Sequence, residues 1–336
     1  MTLTSIGDMA RHFSSLRQNT AIKTRMDILT REMASGRVAD LATHLGGDSA
    51  RLLSIKGSID IASGFASANR TLGQTLSTMQ VALGTVEAER VSLSSTLMTV
   101  SSQSSQQELK ATQGAAEGAF GSVVRSLNAR FGDASLFSGT AADRAPLAAP
   151  EAMLASIRAA LVGATSVNDV KTVLDDWFDA PAGGFATTGY LGDSGALPVR
   201  RINSETAITI DARADDPALR AVMKATAMAA VAGDPGLGFS TGDQALLMQE
   251  ARSSLLAAGD NLIALQAGLG HLEERVDRTT ALQTAQQAAL GIMHIDLVSA
   301  DPFATASQLQ AVQQQLETHY TLTARLSGLS LVNYLR

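Results

Sequence analysis

The 336-residue sequence contains no cysteine. Disulfides, thiolate metal sites and cysteine nucleophiles are therefore excluded, and any extracellular role would rest on packing alone. Aromatic residues are scarce, at 4%. Ala, Ser, Thr, Leu and Gln fill their place, a mix that suits helices packed through small and medium aliphatic side chains rather than a dense aromatic core. No basic patch stands out in a chain of net charge −6, so a nucleic-acid partner is not expected. Long apolar runs are also missing. The most apolar window, residues 219–232, is broken by Arg220 and Lys224 and is too short to span a bilayer, which argues against membrane insertion. The N-terminus lacks the unbroken apolar core, about 7–15 residues long, of a secretory signal. The expectation is a soluble chain which, if it works outside the cell, is exported without a cleaved signal peptide.

What the sequence does contain is helical periodicity at both ends. Near the start, Ile6, Met9, Phe13 and Leu16 form one apolar stripe, followed by Ile22, Met26, Leu29 and Met33. In residues 301–336, Leu309, Val312, Leu316 and Tyr320 form a second stripe, which resumes slightly rotated at Leu322, Leu326, Leu329, Val332 and Leu335. Spacings of three and four place each set on one helix face, and an amphipathic helix needs a cover for that face. One reading makes these ordinary core helices of a bundle. The other makes them assembly surfaces. About eight apolar side chains at ~1.5–3 kcal/mol each would stabilise a terminal helix by on the order of 10–25 kcal/mol if fully buried. Ordering some thirty backbone residues costs roughly 1–2 kcal/mol apiece before hydrogen bonds compensate. A single covering helix leaves that balance marginal, and burial on several sides favours assembly.

Between the ends the texture changes twice. Residues 1–132 read as long helices, broken at Gly36 and at Gly46-Gly47. Gly73, Gly84, Gly114, Gly118 and Gly121 fall inside helical pattern and read either as caps and loops or as points of close helix approach. Residues 134–150 are loop-like. A short helix is predicted over 151–162, and a second begins after Ser166, whose three-residue spacing to Asp169 fits a capping box. Residues 197–202 and 207–212 read as two strands. Helix returns from Leu219, breaks at Pro235-Gly236-Leu237-Gly238, and is punctuated again at Asp301-Pro302. The fold class is mainly α: long N- and C-terminal helices paired as a coiled-coil or helical rod, with a small mixed α/β insertion. The segments are 1–138, 139–216 and 217–336.

Motifs for chemistry are weak. Gly192-Asp193-Ser194-Gly195 resembles a serine-protease nucleophile loop, but a triad needs a histidine base and an orienting carboxylate on a β-barrel, and the chain has too few strands. His44 lies upstream in helical pattern, and the GDSG run reads as a glycine-rich turn. A serine hydrolase using Ser194 is the least favoured reading. His12, His44, His271, His294 and His319 show no ligand-pair spacing, so no metal is expected. Gly236 and Gly238 lack the context of a dinucleotide loop, and no cofactor is expected. Asp215-Asp216-Pro217 reads as a helix cap. The chain reads as a building block rather than an enzyme, with a soluble coiled-coil signalling protein as a further alternative.

The ending Leu329-Ser330-Leu331-Val332-Asn333-Tyr334-Leu335 resembles the C-terminal signature of the bacterial flagellin family, and residues 309–328 are similar to that family's terminal helix. Met33-Ala34-Ser35-Gly36-Arg37 resembles the break after the family's first helix. Leu136-Phe137-Ser138-Gly139 resembles the segment closing the N-terminal half in the junction subgroup, hook-associated protein 3. The family's Asp-Asp-Pro-Ala-like run is replaced by Leu45-Gly46-Gly47-Asp48-Ser49-Ala50. The resemblance implies a structural subunit of the flagellum, exported by type III secretion and located at the hook–filament junction outside the cell. Its implied partners are copies of itself in a ring or helix, hook-associated protein 1, flagellin and an export chaperone. Filament flagellin is the alternative within the same family.

Overall fold

This computed structural model describes the backbone of residues 6–195 and 199–334, and their side chains except those of 6–8, 11–12 and 326–334. In chain order, helices α1 (Ile6–Ser35), α2 (Leu41–Leu45), α3 (Ser49–Met98) and α4 (Gln106–Leu127) lead into a hairpin of β1 (Arg130–Phe131) and β2 (Ala134–Ser135). Then come α5 (Pro150–Ala160), α6 (Val167–Asp179), a hairpin of β3 (Val199–Arg201) and β4 (Ala207–Thr209), α7 (Pro217–Val231), α8 (Thr241–Val298) and α9 (Pro302–Tyr334). The chain is mainly α, as the periodicity predicts. The caps expected at Ser166 and Asp216 are present, and Asp301 supplies a third. Ser166 and Asp169 form the capping box of α6. Asp216 accepts from the Ala218 N–H at the start of α7, and Asp301 accepts from the Phe303 and Ala304 N–H groups at the start of α9.

Residues 64–284 form one compact unit. A contiguous apolar core runs from Leu76 to Val276, entirely within it. Its centre is α7, which corresponds to the most apolar window of the sequence. Leu219, Val222, Met223 and Ala225 are completely buried, and α4, whose Phe120, Val123 and Val124 are also fully buried, packs along this helix. The two cations that interrupt the window are spent on α6. Arg220 Nη1 donates to the Phe178 carbonyl at 2.9 Å, and Lys224 Nζ reaches Asp175 at 2.7 Å and Asp179 at 2.6 Å. Burial opposes the Lys224 charge, yet these carboxylates hold its pKa above the usual lysine range. A buried arginine ties α3 to α8: Arg90 is bidentate to Glu87 and donates to the Leu255 carbonyl at 3.0 Å. Its guanidinium fits because residue 259 is glycine; a Cβ there would lie 3.0 Å from Arg90 Cζ.

Several expectations change at this level. Helix ends at Leu127, and the hairpin at 130–135 falls where the sequence reads as helix running into loop. The β3–β4 ladder is shorter than its pattern, pairing Val199 with Thr209 and Arg201 with Ala207; Leu197 lies outside the described residues. The interior glycines are neither caps nor contact points. Gly84, Gly114 and Gly118 sit mid-helix with open space where a Cβ would be, and Gly121 and Gly73 meet only the side chains of Arg125 and Asp277. Flanking helix formers and tertiary packing outweigh their local cost of ~1 kcal/mol.

Residues 1–63 and 285–336 form the second unit, containing α1, α2, α9 and the near ends of α3 and α8. The break after α1 is a turn at Gly36, whose φ of 66° is the left-handed conformation glycine adopts without strain. Its backbone is stitched to the α8–α9 junction. Val38 N donates to the Val298 carbonyl and Ala300 N to the Gly36 carbonyl, both at 3.0 Å. Where the flagellin pattern has its Asp-Asp-Pro-Ala-like run, the chain turns through Gly46 and Gly47, both at positive φ, and Asp48 N donates to the Leu45 carbonyl at 2.9 Å.

Candidate assembly surface

The Gly36 tie sets the end of α1 beside the start of α9, so the two helices run antiparallel. Polar contacts follow that register: Arg25 Nη2 donates to Gln308 Oε1 at 2.8 Å, and Ser15 Oγ lies 3.4 Å from His319 Nε2. Lys23 Nζ stands 5.9 Å from the centre of the Tyr320 ring. Helical side chains lean toward their own N-terminus, which in an antiparallel pair inclines Lys23 and Tyr320 toward each other across the offset in register.

The pairing buries only part of either stripe. In this unit the buried hydrophobic residues are Ile22, Leu29, Ile55, Ala62 and Val298, among the described side chains. Met26, Leu309, Val312 and Leu316 are half-buried. Met9, Phe13, Leu16, Met33, Tyr320 and Leu322 remain exposed, as do Leu53, Ile61, Ile292 and Ile295; Phe303 is 82% exposed. The side chains of Ile6, Leu326, Leu329 and Val332, and the whole of Leu335, lie outside the described residues. Among the described residues every ion pair falls in the 64–284 unit. The unit thus has few buried apolar side chains and many large exposed ones among its described residues. Sequence periodicity found the two stripes but missed Leu53, Ile61, Ile292, Ile295 and Phe303, which belong to the same unit.

The GDSG run has a different use. Asp193 N donates to the Ser138 carbonyl and Ala214 N to the Phe137 carbonyl, each at 2.9 Å. The Asp193 carboxylate accepts from the Thr140 hydroxyl and from Gly195 N, and these bonds hold its pKa below the usual carboxylate range. Tyr190 donates to the Asp193 carbonyl at 3.2 Å, and burial pushes the phenol pKa up to about 12. The run is thus a turn docked on the Leu136–Gly139 segment. Gly139 is required at this junction: its φ is 67°, and a Cβ would fall 2.4 Å from the Asp193 carbonyl oxygen. His44 belongs to the other unit. Among the described residues no group of three or more His, Cys, Asp or Glu side chains is placed to hold a metal ion. No helix is long and apolar enough to cross a membrane, again among the described residues.

Residues 255–335 match the bacterial flagellin C-terminal helical region. A protein described as a flagellar hook-associated protein from Vibrio parahaemolyticus superposes with a TM-score of 0.50 at 13% identity, over 75% of this chain and 99% of that one. Bacillus cereus FlgL is similar at a TM-score of 0.46 and 14% identity, over 73% and 99%. Among curated proteins, none matches the sequence. The C-terminal match marks residues 255–335 as flagellin-like, and the likeness to the Vibrio parahaemolyticus protein shows a shared, long-helix fold.

Proposed function

We propose that this chain is a subunit of the hook–filament junction that assembles through its terminal helices. The observation that carries the reading is the incomplete cover of the α1 and α9 stripes: Met9, Phe13, Leu16, Tyr320 and Leu322 stay in solvent after the two helices have paired. Neighbouring copies that pack on these faces would bury them. In this reading residues 1–138 and 217–336 are the halves whose helices line the tube wall, and 139–216 is carried as an insertion. The partners are further copies of the chain, hook-associated protein 1 on one side and flagellin on the other. An export chaperone would cover the C-terminal helix before type III export. Filament flagellin is the second reading, favoured by the match of residues 255–335 to the flagellin C-terminal region.

Immuno-electron microscopy of whole cells separates the two. Label confined to one band between hook and filament supports the junction reading, and label along the filament supports flagellin. A strain deleted for the gene that still keeps normal filaments would defeat the junction role.

A further inference from the structure

The 64–284 unit contains a cleft of ≈ 850 Å³ between α3, β2 and β3 that the assembly reading does not use. Two of its lining side chains are almost wholly buried, each with a polar atom left without a partner. Asn69 is 1% exposed and its Oδ1 is unpaired; Ser135 is 7% exposed and its Oγ is unpaired. The orientation of the Asn69 amide is determined by its surroundings. Nδ2 donates to the Ile202 carbonyl at 2.9 Å and to Gln283 Oε1 at 3.0 Å, and Gln283 Nε2 donates to the same Ile202 carbonyl at 2.8 Å. Turning the amide over would set Oδ1 against two acceptors, so Oδ1 is an acceptor that lacks a donor. Buried polar groups of this kind call for a partner.

Two further features narrow the chemistry. The lining includes Arg200, Arg201 and Arg213 and no carboxylate, in a chain of net charge −6. Arg213 is taken up by Asp215, but Arg201 reaches only the Ser204 carbonyl at 3.4 Å, and Arg200 has no partner among the described residues. The second feature is β3 itself. Among the described residues it pairs only with β4, and all three of its side chains are exposed, so its other edge presents backbone groups that no described strand pairs. Water could satisfy Asn69 Oδ1, but it would leave the apolar walls at Leu72 and Met79, the arginines and the strand edge unmatched.

We propose that this cleft takes an extended segment of another polypeptide, with alternating apolar and acidic side chains, added along the free edge of β3. A backbone N–H of the segment meets Asn69 Oδ1, and a backbone carbonyl accepts from the Ser135 hydroxyl. Apolar side chains enter the cleft, and the carboxylates, which the alternation sets on the opposite face of the segment, meet Arg201.

The test uses the full chain and two fluorescein-labelled probes, Val-Glu-Val-Glu-Val and Val-Lys-Val-Lys-Val, followed by fluorescence anisotropy. The acidic peptide should bind saturably and the basic one should not. The Arg200→Glu/Arg201→Glu protein, changed only at exposed positions and checked for an unaltered melting curve, should bind the acidic peptide roughly tenfold or more weakly. Ser135→Ala should weaken it as well, without restoring the basic peptide. Equal binding of both peptides, no saturation by the acidic one, or binding indifferent to the double substitution would overturn the proposal. It would also be overturned if the double substitution abolished a self-association of the wild-type chain, which would assign the cleft to a second copy.

Discussion

Truncating Leu29 to alanine probes how the terminal helices are held. Leu29 is 1% exposed, one of the few large apolar side chains buried in the unit formed by residues 1–63 and 285–336. A fully buried Leu→Ala change costs about 2–5 kcal/mol, the spread depending on how far the site collapses. Ile22, Ile55 and Val298 are the other large buried residues described in this unit. At ~1.5–3 kcal/mol each they contribute roughly 5–9 kcal/mol before ordering costs, so the loss of Leu29 is comparable to what remains. The Arg25–Gln308 bond is exposed and adds little. Hydrogen exchange read by mass spectrometry should show amides of α1 and α9 near Leu29 exchanging roughly 30- to 5,000-fold faster in Leu29→Ala, while α4 and α7 keep their protection. Leu83→Ala, in the core of the 64–284 unit, should do the reverse. Unchanged exchange in α1 and α9, or equal acceleration in α7, would refute the view that the terminal helices rest on a small separate set of contacts.

Other outcomes follow from the same contacts. Phe303→Ser, at a side chain 82% exposed, should leave the melting curve of the isolated chain unchanged and reduce its incorporation into flagella in a complemented deletion strain. Gly139→Ala should destabilise the 64–284 unit by about 1–3 kcal/mol in denaturant unfolding, since φ is positive and the Asp193 carbonyl occupies the Cβ position. Asp216 has a raised pKa, chiefly through burial and then through Asp211 and Asp215 nearby. A carboxyl with a raised folded-state pKa contributes stability at low pH that is lost as pH rises through that pKa. Asp216→Asn keeps the capping acceptor, so it should melt at the same or a higher temperature than wild type at pH 7, with the difference vanishing in acid. A lower melting temperature for Asp216→Asn at pH 7 would contradict this.

Much of this architecture is legible from local rules. Helix caps at Ser166, Asp216 and Asp301, the break at Gly36, and the burial of residues 219–232 follow from chemistry within a few residues of each position. The two terminal stripes are equally plain, because a period of three to four is a property of one helix alone. Half of the candidate surface was not. Leu53, Ile61, Ile292 and Ile295 lie outside the two terminal stripes and Phe303 precedes the second, and only the packed unit shows which of them stay in water. The role of the interior glycines is not legible for the same reason. Whether a missing Cβ admits a neighbour depends on what another helix places there, and at Gly84, Gly114 and Gly118 nothing is placed.

By itself, then, the sequence determined that the chain is a cysteine-free, mainly helical protein with sticky ends and a flagellin-like terminus, because composition and periodicity act over one or two turns of chain. Only the tertiary structure decided that the GDSG run is a docked turn, since its partners Ser138 and Thr140 lie more than fifty residues upstream. It also decided that Asn69, Ser135 and Arg200 share one cleft, and that the terminal stripes cover each other incompletely. Those are contacts between distant segments, and local spacing does not specify which distant surface a face will meet.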